Sequence, residues 1–196
     1  MRQEFLTAAQ EFAEEYSKRA NRNKTTLFLG DSFFDRRYFW TDFGETFAGK
    51  DAFCAGIGST TTYEWEELFP KYFAAVPPKN LVVNLGTNNF YDVHDSAEAA
   101  QQNLKRLLKL LSTSLPEANI YYFAISQRTD ERYRREVSLS NAVLREWCAE
   151  NGVAFLDTER EITAEMLRDG IHPLLYVYQQ VFIPFLMRAN CVVENL

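Results

Sequence analysis

Five short apolar runs, spaced by longer amphipathic ones, restrict this chain to a narrow set of folds. Residues 25–29, 52–54, 80–85, 119–125 and 153–156 read as strands, the run at 80–85 as a buried one. Between them, 60–75, 96–112 and 132–150 read as helices; in the second, Leu104, Leu107, Leu108 and Leu111 share one face. Asn151-Gly152 predicts a left-handed C-cap for the third. Phe5, Ala9, Phe12, Ala13 and Tyr16 predict an amphipathic N-terminal helix ending near residue 20. The aromatic-rich stretch 32–50 reads as one helix mixed with loop, and 174–189 as an apolar helix kinked or interrupted at Pro184. Strands alternating with helices of a dozen or more residues imply a parallel sheet covered on both faces and joined by right-handed crossovers. No linker or repeat divides the sequence. One α/β domain over residues 1–196 is expected, with residues 1–20 packing on it as a helix.

Composition narrows the function. A length of 196 residues suits one sizeable core, and 46% hydrophobic with 15% aromatic residues argues against disorder. The formal net charge of −6 disfavours a phosphate-tracking surface, so no nucleic-acid partner is expected. Arg128, Arg132, Arg134 and Arg135 form a basic cluster, but Asp130, Glu131 and Glu136 interleave with it and it reads as a solvated helix face. Three widely spaced cysteines, Cys54, Cys148 and Cys191, give neither a disulfide framework nor a zinc knuckle. Glu4, Glu11, Glu14 and Glu15 interrupt every stretch where a signal peptide would need its apolar core. No uncharged run reaches the roughly 18 to 20 residues of a membrane span. A reduced, cytoplasmic protein is the expectation.

The chemistry is concentrated in a few residues. Of only two histidines, one lies in Asp169-Gly170-Ile171-His172-Pro173, while Gly30-Asp31-Ser32 ends the first apolar run. A serine hydroxyl is a poor nucleophile until a base takes its proton, and histidine is the usual base near neutral pH. The candidate triad is therefore Ser32 as nucleophile, His172 as base and Asp169 as the acid that orients the imidazole. A plain alternative makes GDS a turn and Asp169 a cap for the helix that follows. Asp31 reads as a turn-holding carboxylate that accepts backbone N–H groups. His94, in a loop after GTNNFYDV, reads as solvent-exposed or substrate-side. No metal is expected, since His94 is the only other imidazole.

In order, GDS, the turn Cys54-Ala55-Gly56-Ile57-Gly58-Ser59-Thr60, the segment Gly86-Thr87-Asn88-Asn89 and DGIH resemble the SGNH hydrolases, the GDSL-type esterase and lipase superfamily, from about residue 27 to residue 173. The resemblance implies a three-layer α/β/α sandwich on a mostly parallel, flavodoxin-like sheet. It also implies an oxyanion hole of the Ser32 N–H, the Asn88 side-chain N–H and one N–H of the glycine-rich turn. Family members commonly read Asn-x-Gly-x-Gly-Gly at that turn. Here Cys54 replaces the Asn and Ser59 the last Gly, so the donor is Ser59 or, with a one-residue shift, Gly58. Asn88 also suits a plain turn, and Asn89 stands where Asp is more usual. Phe33, Phe34, Phe90 and Tyr91 could wall a site, although core is the commoner fate of such residues. The implied activity is hydrolysis of a small-molecule or carbohydrate O-acyl ester, acetyl first, through an acyl-enzyme and without a cofactor. The alternatives are an O-acyltransferase on the same fold and a non-catalytic binding protein.

Overall fold

The computed structural model describes residues 1–19, 25–37, 46–47 and 51–191. Its strands are β1 (Thr26–Gly30), β2 (Ala52–Cys54), β3 (Asn80–Asn84), β4 (Asn119–Phe123) and β5 (Ala154–Leu156). They pair in parallel in the order β2-β1-β3-β4-β5, the flavodoxin-like order expected. The helices are α1 (Gln3–Ser17), α2 (Thr62–Tyr72), α3 (Thr87–Tyr91), α4 (Ala97–Ser114) and α5 (Arg134–Glu150). A helical C-terminal segment runs from Leu175 to Arg188.

Strand side chains divide by a period of two. Leu27, Leu29, Phe53, Leu81, Val83, Ile120 and Tyr122 enter one core with the buried faces of α1, α2, α4 and α5. Phe28, Ala52, Cys54, Val82, Tyr121, Phe123 and Leu156 enter the other. Both faces are covered, so β1 and β3 are buried along their whole length and read as unbroken apolar runs. Asymmetry between the layers follows from the path of the chain. From β2 onward it steps across the sheet in one direction, and right-handed crossovers then place α2, α4 and α5 on the same face. The step from β1 to β2 goes the other way. Among the described residues of its connection, Phe33, Phe34 and Phe47 pack on the opposite face with Val177, Tyr178, Phe182 and Leu186. The direction of travel reverses between β1 and β3, and the crevice beyond their carboxyl ends is where such sheets carry sites.

Local chemistry sets the element ends. A capping box starts α2 at Thr62: the Thr61 hydroxyl accepts from Tyr63 N–H at 3.2 Å, and Glu64 accepts from Thr61 N–H at 2.8 Å. Gly152, at φ 70°, follows the end of α5 in the left-handed form expected. In 32–50, residues 32–34 form a single 3-10 turn; residues 38–45 and 48–50 of that expected helix-and-loop stretch lie outside the described residues. The C-terminal helix is interrupted earlier than expected. Pro184 has no N–H and its ring would clash with the carbonyl of residue 180, and the helix answers with a π turn over Tyr178–Phe182 before resuming. Cys54, Cys148 and Cys191 are buried and unpaired. Among the described residues no helix is long and apolar enough to cross a membrane.

Candidate active site

Strand geometry brings three loops together. Gly30 lies in register with Asn84, so Ser32 and Asn88 leave the carboxyl ends of adjacent strands; the glycine-rich turn leaves β2 on the other side of β1. The approach is close. A Cβ on Gly56 would lie 2.4 Å from the Phe34 carbonyl carbon and 2.7 Å from the Asp31 carbonyl oxygen, so only glycine lets the turn pack on the serine loop.

Residues 167–173 fold back across these ends as a closed loop. Arg168 N–H donates to the His172 carbonyl at 2.8 Å, and Leu167 and Pro173 form an antiparallel bridge. Thr129 N–H donates to the Gly170 carbonyl at 2.9 Å, fastening the loop to the segment after β4. Inside it, Asp169 does not cap a helix. One carboxylate oxygen accepts from Ile171 N–H at 3.0 Å and His172 N–H at 2.8 Å. The other lies 2.7 Å from His172 Nδ1, and His172 Nε2 lies 2.9 Å from Ser32 Oγ. Ser32, His172 and Asp169, 140 positions apart in sequence at their widest hydrogen bond, thus form one continuous chain. The imidazole side chain is 13% exposed, enough for a substrate edge to reach it. Burial opposes the Asp169 charge, but the His172 backbone N–H and ring together outweigh it and hold the carboxyl below its ordinary pKa. An ionised acid at Nδ1 leaves Nε2 able to take the serine proton.

The glycine-rich turn resolves which N–H groups are free. Gly58 N–H donates to Asp35 Oδ2 at 2.8 Å, and Asp35 is itself buried and paired with Arg37. Ser59 stands in the left-handed region at φ 63°, which accounts for glycine at the matching place in the SGNH pattern. Among the described residues, neither Ser32 N–H nor Ser59 N–H has a protein acceptor. Asn88 is buried; its Nδ2 donates to the Thr60 carbonyl at 2.9 Å, and its Oδ1 accepts from Arg128 Nη2 at 2.7 Å.

Other singled-out residues are placed elsewhere. His94 is exposed and bonded to the Tyr133 hydroxyl at 2.9 Å. Asn89 ties α3 to α2, donating to Thr62 Oγ1 and Asp95 Oδ2 at 2.9 Å each. Phe33, Phe34, Phe90 and Tyr91 are all core. Asp31 accepts from Phe33 N–H at 3.0 Å, as a turn-holder should, yet its other oxygen is buried without a partner among the described residues. Burial pushes its pKa up to about 7. Sequence reading missed Asp35 and Arg128. Arg128 lies beyond the end of β4, as Ser32 and Asn88 lie beyond β1 and β3, and that position was the available signal.

Comparison with known proteins shows the family and the fold. The family model of the GDSL-like lipase/acylhydrolase family matches residues 28–179. The chain belongs to that family. It is accordingly an ester-bond hydrolase. The family match runs from within β1 past the His172 loop, and so contains every residue of the hydrogen-bonded chain. Among solved structures, a GDSL-like lipase from Bacteroides thetaiotaomicron superposes with a TM-score of 0.75 at 16% identity, covering 94% of this chain and 97% of that one. An acetylxylan esterase from Geobacillus stearothermophilus superposes with a TM-score of 0.65 at 16% identity, covering 85% and 95%. These likenesses are of fold. None of the curated proteins matches the sequence.

Proposed function

We propose that this GDSL acylhydrolase cleaves small O-acyl esters, acetyl first, of an alcohol or carbohydrate through an acyl-enzyme on Ser32, in one domain over residues 1–196. The observation that carries the reading is the unbroken hydrogen-bonded chain from Ser32 Oγ through His172 to Asp169. Ser32 Oγ attacks the ester carbonyl while its proton passes to His172 Nε2, and Asp169 stabilises the imidazolium. Ser32 N–H, Ser59 N–H and the second hydrogen of Asn88 Nδ2 receive the developing oxyanion. The tetrahedral intermediate collapses by breaking the carbon–oxygen bond, and His172 returns its proton to the departing alkoxide. Water, losing its proton to the same nitrogen, then attacks the acyl carbonyl; the carbon–Oγ bond breaks, His172 returns the proton to Ser32 Oγ, and the acid leaves. A cavity of about 270 Å³, lined by Glu4, Phe5, Arg37, Gly58 and Ser59, adjoins the Ser59 donor.

Labelling with a fluorophosphonate followed by peptide mapping tests the mechanism. Ser32 should carry the label, Ser32→Ala should abolish turnover, and p-nitrophenyl acetate should be cleaved faster than the octanoate. Label on another residue, or full activity in Ser32→Ala, would overturn the nucleophile. Preference for octanoate would overturn the small acyl group. Transfer of acetyl to an added alcohol in preference to water would make the protein an acyltransferase.

A further inference from the structure

The basic tract at 128–135 is not one solvated face. Arg132 pairs with Asp130 and Arg134 with Glu131 at the surface, but the Arg128 side chain turns inward and is 12% exposed. Its guanidinium lies over the Tyr91 ring, 4.5 Å from the centroid. Nε donates to Thr87 Oγ1 at 3.3 Å, Nη2 to Asn88 Oδ1 at 2.7 Å and Nη1 to Asp92 Oδ1 at 3.4 Å. The shortest of these contacts is made to the amide, not to the carboxylate.

A side-chain amide has a donor end and an acceptor end, and half a turn about its last bond exchanges them. For an oxyanion the exchange matters, because Oδ1 in place of Nδ2 sets a lone pair against developing negative charge. In Asn88 both ends are held. The Thr60 carbonyl accepts from Nδ2 at 2.9 Å, and the guanidinium donates to Oδ1 at 2.7 Å. A flipped amide would set oxygen against oxygen on one side and donor against donor on the other. A charge-assisted bond to Oδ1 also draws electron density from Nδ2 and strengthens its remaining N–H as a donor.

We propose that Arg128 is a positioning residue for the hydrolysis assigned above: it acts through Asn88, fixing the polarity of that amide so that the free Nδ2–H serves the oxyanion. This rests on the acyl-enzyme reading. A guanidinium over Tyr91 can reach Thr87, Asn88 and Asp92 together through a planar fork that an ammonium does not match.

The test is a double-mutant cycle with an ester substrate, together with an NMR measurement that needs no turnover. Arg128→Ala should lower kcat about 10- to 100-fold with KM within about threefold, since the oxyanion bond forms mainly in the transition state. Arg128→Lys should recover only part of the loss. In an Asn88→Ala background, Arg128→Ala should cost less than about threefold, because the group it acts through is gone. Guanidinium ion at tens of millimolar, entering by the cavity of about 430 Å³ that Arg128 lines with Gln127, Ser138 and Leu167, should partly restore Arg128→Ala but not the double variant. A purely structural role would give neither coupling nor rescue. The Asn88 side-chain NH₂ signals, assigned by their loss in Asn88→Ala, should shift and lose protection from exchange in Arg128→Ala. Equal losses from Arg128→Ala in both backgrounds would overturn the proposal. Unchanged NH₂ signals would overturn it even if the wild-type protein hydrolysed no ester, so its failure and that of the acyl-enzyme reading can be told apart.

Discussion

Asp31 should make the protein progressively less stable as pH rises. Its carboxyl is fully buried, one oxygen accepts Phe33 N–H and the other finds no partner among the described residues. Burial, partly offset by the Phe33 bond and by the Arg128 charge, lifts its pKa from 3.8 to about 7. The folded protein therefore keeps a proton that the unfolded chain has already lost between about pH 4 and pH 7. Stability linked to this group is fully present below the unfolded pKa and is lost as pH rises through the folded one. Each tenfold change in proton activity is worth about 1.4 kcal/mol, so the displacement amounts to about 4 kcal/mol by pH 8. Asp31→Asn removes the titration but keeps an oxygen for Phe33 N–H. Its buried NH₂ carries a desolvation cost of about 1–3 kcal/mol. That cost does not vary with pH, and the remaining carboxylates titrate alike in both proteins. Urea unfolding of the two proteins at pH 4, 5, 6, 7 and 8 isolates the effect. The difference in unfolding free energy should move in favour of the variant by about 4 kcal/mol across the series, with its steepest slope between pH 4 and 7. Parallel stability curves would refute the argument, since they would mean an Asp31 that ionises as readily in the folded protein as in the unfolded chain.

Three further substitutions, at Ser59 and Asn88, test the oxyanion donors. Ser59→Gly keeps the backbone N–H and relieves a left-handed residue; against the roughly 1–2 kcal/mol cost of that conformation for a side-chain-bearing residue stands about 0.5–1 kcal/mol of extra chain entropy for glycine. Unfolding should show a net gain of about 0.5–1 kcal/mol with kcat unchanged within about twofold, and a stability loss would contradict the strain at this position. Asn88→Ala should lower kcat about 10²- to 10³-fold with KM nearly constant, the usual effect of losing one such donor. Asn88→Asp should be at least as harmful, since it replaces a donor with charge beside a developing anion. A large fall in melting temperature with kcat nearly intact in the folded fraction would return Asn88 to a simple turn role.

What was legible in the sequence was whatever repeats or whatever chemistry constrains. Strands buried on both faces, such as Leu81-Val82-Val83, announce themselves as apolar runs, and α4 announces itself by its leucine face. Ser32, Asp169 and His172 were nameable because a chain with two histidines offers few ways to build a base, and the structure brings all three together. The readings that fell short concern features too short to have a period. Helix α3 is five residues long and follows Gly86 at φ 120°, so its sequence carries turn residues and no amphipathic repeat. The choice between Gly58 and Ser59 needed Asp35, whose carboxylate occupies the Gly58 N–H; nothing in the glycine-rich turn itself distinguishes the two. Arg128 was lost differently. A run of alternating charges reads as a surface because the average residue in it is one, and Arg132 and Arg134 conform. Yet orientation is decided residue by residue. The one arginine that precedes the surface pairs, close to the end of β4, meets the crevice and not the solvent. In a parallel sheet, position relative to a strand's carboxyl end is therefore the better guide to a charged residue's task than the composition of the tract around it.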